Sequence, residues 1–179
     1  KRWGKDDLSI SILDVGQGNA ALIEMPGGHC ALIDGGGYSN NEIFDMGEKV
    51  IAPFLWHKKI KTIETVILTH YDSDHLNGLI FILKHFNVKQ VLANHDPGTC
   101  FKNKEFNQII SDKKIDYPPY NRFPKKLNLN GVTLKILYPL EHFAELAVNE
   151  SWRDSNNNSM VVQIHFENQT ILFPGDLMQ

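Results

Sequence analysis

Four of the six consecutive residues from His70 to His75 can ligate a metal, and they lie between a buried strand and an apolar helix. The run reads Thr69-His70-Tyr71-Asp72-Ser73-Asp74-His75-Leu76-Asn77-Gly78. Ahead of it, residues 65–69 have the apolar, β-branched character of a buried strand. Behind it, Leu76, Leu79, Leu83 and Phe86 recur at helical spacing. In an extended segment the side chains at 70, 72 and 74 project to one side, and the turn into the helix redirects His75 toward the same space. The C-terminal end of a strand in an α/β sheet is also where such folds place their sites.

Capping explains one carboxylate in this run, because Asp and Ser suit a helix N-terminus. It does not explain two histidines flanking two carboxylates on a partly buried segment. Unpaired acids are costly there, and a divalent cation offsets them. The run therefore points to a metal centre.

The rest of the chain supplies a frame for it. Leu8, Ile10 and Ile12 alternate with Ser9 and Ser11 as a strand; Gly16-Gln17-Gly18 interrupts, and a strand resumes over 20–25. Pro26-Gly27-Gly28 turns the chain, and a strand over 30–33 ends in Asp34 and three glycines. Residues 42–55 are helical, with Pro53 kinking or ending the helix. A strand over 89–93 and a helix ending near Lys113 follow. Residues 117–124 are a proline-rich loop, 132–138 a strand and 141–147 a short helix. The last two strands, 160–166 and 170–173, face each other across a turn at Asn168-Gln169 and deliver Asp176 at a strand end. Strand pairs alternating with helices argue for one α/β domain over 1–179.

Composition narrows the classes. A chain of 179 residues supports one full core. With 42% hydrophobic and 22% charged residues it is neither disordered nor a coiled coil. No apolar run approaches the roughly 18 residues of a membrane span. Cys30 and Cys100 are too few for a disulfide framework or a four-cysteine zinc site. A formal charge of -3 exerts no global pull on nucleic acid. A chain opening Lys1-Arg2-Trp3 and stopping three residues after Asp176 reads as a piece of something longer, truncated at its C-terminus.

The run at 70–75 resembles the His-x-His-x-Asp-His signature of the metallo-β-lactamase superfamily, with Asp72 in place of the second His. Leu32-Ile33-Asp34-Gly35-Gly36 resembles its first motif, whose Asp supports the metal loop. Phe173-Pro174-Gly175-Asp176 resembles the strand end with the metal-bridging Asp, and Asn156-Asn157-Asn158-Ser159 occupies the place of a His-containing motif. Leu13-Asp14-Val15-Gly16-Gln17-Gly18-Asn19-Ala20, together with Asp72 and the Asn-rich segment, is similar to the C-terminal domain of the ComEC family of bacterial competence proteins.

That resemblance implies an αββα sandwich and two divalent metal ions. His70 and Asp72 would help bind one ion, Asp74 and His75 the other, and Asp176 would bridge them. Asn156 stands where many members carry a ligating His and would be a weak ligand. A further His-His-Gly-Ser type segment of the family is not in this sequence. The extra carboxylate at 72 favours manganese over zinc. Two such ions suit phosphodiester hydrolysis, with Asp74 orienting the water. The ComEC likeness implies DNA as substrate, one strand of it degraded during uptake. It also implies membrane-embedded and other domains of the parent protein as partners, and an extracytoplasmic position at a bacterial inner membrane. Two other expectations compete: a catalytically degenerate binding or assembly module, and a superfamily hydrolase of a small thioester, ester or lactam.

Weaker signals remain. Lys113-Lys114, Arg122 and Lys125-Lys126 bracket Tyr117, Tyr120 and Phe123, which is either a phosphate-tracking, base-stacking tract or a loop whose rings pack on the core. Gly16-Gln17-Gly18-Asn19-Ala20-Ala21 fits a dinucleotide fingerprint, but the helix that motif needs is cut short at Pro26, so a glycine-rich bulge in a hairpin is the better reading and no organic cofactor is expected. His29, His57, His85, His95, His142 and His165 have no partners at ligand spacing.

Overall fold

A computed structural model describes residues 6–39, 44–94, 103–122, 124–139 and 156–177. The first half builds a five-stranded sheet in the order β1 (Ser9–Ile12), β2 (Ala21–Glu24), β3 (Cys30–Ile33), β4 (Thr62–Leu68) and β5 (Asn87–Ala93). β1, β2 and β3 pair antiparallel, then β3, β4 and β5 run parallel. The parallel crossovers carry α1 (Ala52–His57) and α2 (Ser73–His85), and α3 (Asn103–Lys113) follows β5. The second half forms an antiparallel sheet, β6 (Lys126–Leu129), β7 (Val132–Tyr138), β8 (Val161–Phe166) and β9 (Gln169–Phe173).

Alternation along the strands sorts the side chains into two cores. Leu22, Leu32, Val66 and Leu68 face the helices and meet Leu76, Leu79 and Leu83 of α2. Ile23, Ile33 and Ile67 face the other way and pack on Leu134, Val162 and Ile164 of the second sheet. β2, β3 and β4 are therefore covered on both faces, which is why they read as continuous apolar runs. Helix–sheet–sheet layering is the α/β sandwich that the resemblance implies. Among the described residues no helix is long and apolar enough to cross a membrane.

Several expectations need correction. Pro53 does not end its helix; it sits in the first turn of α1, after a π-helical turn over Gly47–Ile51. Ile51 and Ala52 are already in helical backbone, so the missing N–H at 53 interrupts a continuous ladder at the switch from π to α without stopping it, and the helix continues to His57. The final hairpin turns at Glu167-Asn168, one residue earlier than expected, with Glu167 at φ 52. β6 was not anticipated, and it pairs with β7 across Asn130-Gly131. The expected helix over 141–147 lies outside the described residues, as do Phe123, His95 and His142.

Candidate metal centre

The centre forms where both sheets end. β4 runs into Thr69 and His70, α2 begins at Ser73, and β9 runs into Pro174-Gly175-Asp176. The Met160 N–H donates to the Thr69 carbonyl at 2.8 Å, tying the start of β8 to the end of β4.

Asp34 is the hub of the buried side. Its backbone is left-handed, φ 55, which turns the chain out of β3 and points the carboxylate back across the sheet end. The carboxylate accepts from the Thr69 N–H at 2.8 Å, from the Thr69 hydroxyl at 2.7 Å and from His75 Nδ1 at 2.9 Å. The glycines after it let this loop lie on α2: the Gly35 N–H donates to the His75 carbonyl and the Gly78 N–H to the Gly36 carbonyl. A side chain on Gly78 would strike the Gly35 carbonyl oxygen. The motif glycine at 78 is thus a contact requirement between two chain segments.

These bonds fix the imidazole tautomers. His75 gives its Nδ1 proton to Asp34, leaving Nε2 without one when the ring is neutral. The Thr69 hydroxyl spends its single proton on Asp34, so toward His70 Nδ1, 3.1 Å away, it can only accept. His70 Nδ1 therefore carries the proton, and the Ser159 hydroxyl lies 3.2 Å from the same nitrogen. Both Nε2 atoms are buried, and among the described residues neither has a hydrogen-bond partner. Buried nitrogen lone pairs left bare are costly in an ordinary core.

What faces those lone pairs is carboxylate. His75 Nε2 is 3.3 Å from Asp176 Oδ1, and His70 Nε2 is 3.5 Å from Asp72 Oδ2. Two ligands on one tetrahedral ion with bonds of about 2.1 Å stand about 3.4 Å apart. One ligand atom each from His70, His75 and Asp176 lie within 4.8 Å of one another. The residues present fit a divalent cation on this observation. The metal-free ionisation is correspondingly strained. Burial lowers the pKa of His70, the charge on His75 adds to this, and Asp34, Asp72 and Asp176 oppose it. Burial also works against charge on His75, but Asp34, then Asp176 and Asp74, lift it to about 9.

The structure places the expected ligands as follows. His70, His75 and Asp176 come together. Asp72 occupies the N-cap position of α2 yet makes no side-chain capping bond, so capping is not its role; its carboxylate stands beside His70. Asp74 lies one residue into the helix and not on an extended run with 70 and 72, because α2 starts at Ser73; its charge still acts on His75. Asn156 opens a short 3-10 turn, Asn156–Asn158, whose last carbonyl accepts from the Asn94 amide. Sequence reasoning missed Thr69 and Ser159. Ser159 is fully buried, and its Oγ accepts from the Asp176 N–H at 3.2 Å while meeting His70. Its position beside the Asn-rich motif was the available signal.

Among the described residues of the basic–aromatic tract, both tyrosine rings and two of the lysines are engaged within the fold. Tyr120 is buried in the inter-sheet core, and Tyr117 packs edge-on against Phe106 with its hydroxyl on that of Tyr71. Lys113 is committed to the carbonyls at the end of α2, and Lys125 to the Tyr120 ring and carbonyl. Gly16 to Ala21 is a hairpin connection between antiparallel strands, with no helix to hold a pyrophosphate. His29, His57, His85 and His165 stay away from the centre among the described residues.

The sandwich with its histidine–aspartate centre defines a class, and the sequence matches the metallo-beta-lactamase superfamily model over residues 13–179. The chain belongs to that superfamily. It is 38% identical to ComE operon protein 3 of Bacillus subtilis over 93 residues, 46% of this chain and 12% of that protein. It is 28% identical to Recombination protein 2 of Haemophilus influenzae over 177 residues, 98% of this chain and 19% of that protein. Both are ComEC-family names, and the chain spans less than a fifth of either relative. Among solved structures it resembles a metallo-beta-lactamase from Cronobacter sakazakii, with TM-score 0.55 and 14% identity over 92% of this chain and 60% of that one. It also resembles CmlA, a diiron beta-hydroxylase from Streptomyces venezuelae, with TM-score 0.52 and 17% identity over 96% of this chain and 30% of that one. At these identities the likeness is one of fold.

Proposed function

We propose that this domain is a metal-dependent phosphodiesterase acting on DNA, the nuclease part of a ComEC-like uptake protein. The observation that carries the reading is the convergence of two buried imidazole Nε2 atoms on the carboxylates of Asp176 and Asp72. His70, His75 and Asp176, with Asp72 and Asp74 at the rim, would hold two divalent ions. Oxygen from three carboxylates in that set favours manganese over zinc. The ions supply Lewis acidity toward a phosphoryl oxygen and a lowered water pKa.

The chain's own residues do the rest. Asp34 and Thr69 lock the imidazoles so that both lone pairs face one space. Asp74 would orient the attacking water, and Asp176 would keep its carboxylate between the imidazoles and the open side. DNA is the substrate that the ComEC likeness supports, with a single strand entering from the exposed side of Asp176. The same likeness supports an extracytoplasmic position at an inner membrane, beside membrane-embedded domains of a parent chain.

Asn156 favours one second reading: a neutral amide where many members carry a ligating His suits a catalytically degenerate binding or assembly module. Incubation of the protein with labelled single-stranded DNA and Mn2+ separates the two. Digestion that vanishes in His70→Ala and in Asp74→Ala supports the nuclease. Equal digestion by both variants and the wild type sinks it, and a reconstituted protein that takes up much less than one equivalent of metal and digests nothing points to the assembly role.

A further inference from the structure

Asp176 differs from the other members of the centre in how it is held. His70 and His75 are buried and locked through Nδ1, whereas the Asp176 side chain is 35% exposed. Its backbone N–H is fixed by Ser159 Oγ, but that bond does not orient the carboxylate. Besides the two imidazoles, the side-chain amide of Asn19 reaches that carboxylate, its Nδ2 lying 3.4 Å from Oδ1.

Asn19 is itself anchored. The Gly36 N–H donates to its carbonyl at 2.8 Å, which fixes it to the loop that carries Asp34. Gly18, at φ +70, lies so close to the metal loop that a Cβ there would overlap the Asp74 carbonyl oxygen. The glycine-rich connection between β1 and β2 is thus pressed against two of the motif segments and extends its last side chain to the third. The choice of residue is also chemical. An amide donates to a carboxylate without adding charge, whereas another acid beside Asp72, Asp74 and Asp176 would repel them in the metal-free protein.

We propose that Asn19 is a positioning residue for the metal centre, orienting the Asp176 carboxylate for a cation shared with His70 and His75. The inference rests on the metal-centre part of the functional reading and is independent of the substrate. Such outer partners of ligating carboxylates set affinity by restricting the ligand to its bound orientation, worth about 10–100-fold in affinity.

Calorimetric titration of Mn2+ into the chelated and dialysed protein tests this. Asn19→Leu keeps the side-chain bulk and removes the donor, and it is expected to weaken binding by about 10–100-fold. Asn19→Ala is a second truncation in case Leu perturbs the loop, and the thermal midpoint of each metal-free variant should match the wild type. Asn19→Gln retains the amide and should recover affinity to within about threefold of wild type, given room for one extra methylene at an exposed site. Leu and Ala variants that bind within twofold of wild type overturn the proposal, as does a Gln variant no better than Leu. A wild type that takes up no Mn2+ overturns the metal centre and this inference together. A wild type that binds Mn2+ but digests no DNA overturns the nuclease reading alone.

Discussion

Asp34 Oδ2 and His75 Nδ1 are 2.9 Å apart in a site where neither side chain is more than 1% exposed. The pair links a strand end to the first turn of α2 and decides which nitrogen of His75 faces the centre. Because the same carboxylate takes both donors of Thr69, one residue satisfies three buried protons.

Removing that acceptor leaves all three without a partner. Asp34→Ala should destabilise the domain by about 3–5 kcal/mol, the cost of breaking a buried pair. Thr69→Val, which removes one hydroxyl and keeps the shape, should cost about 1–3 kcal/mol. Urea unfolding of the metal-free protein measures both, and an Asp34→Ala variant as stable as wild type would show that the hub is ornamental.

The metal-free protein should lose stability on the alkaline side. His75 is lifted from 6.5 to about 9 by its acidic neighbours. A group with a raised folded pKa contributes stability that is fully present below pH 6.5 and lost as pH rises through about 9. The loss across that window is on the order of 3 kcal/mol. His70, lowered by burial, acts oppositely: its contribution is present above pH 6.5 and lost as pH falls through its folded value. Urea midpoints in chelator should therefore peak near neutrality, and His75→Gln should flatten the alkaline limb.

Two glycines separate contact from backbone strain. Gly18 and Gly28 both have positive φ, but a Cβ at Gly18 meets Asp74 whereas one at Gly28 meets nothing within 4 Å. Gly28→Ala should cost about 1–2 kcal/mol, the left-handed penalty alone. Gly18→Ala should cost more and should also lower Mn2+ affinity, because Asp74 has to move. Equal costs for the two would refute the close approach.

Cation binding should stabilise the fold. Mn2+ at about 100 times its Kd adds about 2.7 kcal/mol, read as an upward shift of the thermal midpoint relative to chelated protein. His70→Ala should abolish most of that shift. A variant that keeps the full shift would place the ion elsewhere.

The sequence showed most of the first sheet because β2, β3 and β4 are covered on both faces and so read as apolar runs. It showed the 70–75 cluster because chemistry is concentrated there within one short segment. The two-sheet layering came from the family resemblance, since alternation tells which residues share a face but not what that face meets. β6 was legible and overlooked: Leu127 and Leu129 alternate ahead of Asn130-Gly131, both at positive φ, a pairing that marks a tight hairpin. Tyr117 and Tyr120 could not be placed from composition, because an aromatic in a proline-rich loop looks the same whether it faces water or the core. The contacts of Asn19 and Ser159 were hidden for another reason, although Ser159 stands in the Asn-rich motif. Their roles are contacts with Asp176 across 157 and 17 positions of chain, and no local pattern encodes them.

The Ser159 hydroxyl joins the Asp176 backbone to His70, and so it stitches the late half of the chain to the early half. The histidines ride on the first sheet and its helix, while the aspartate arrives on the second. Neither half can assemble the cation pocket by itself. Metal uptake by this centre would thus report that the sandwich has closed, and a half-folded chain would hold His70 and His75 apart from Asp176.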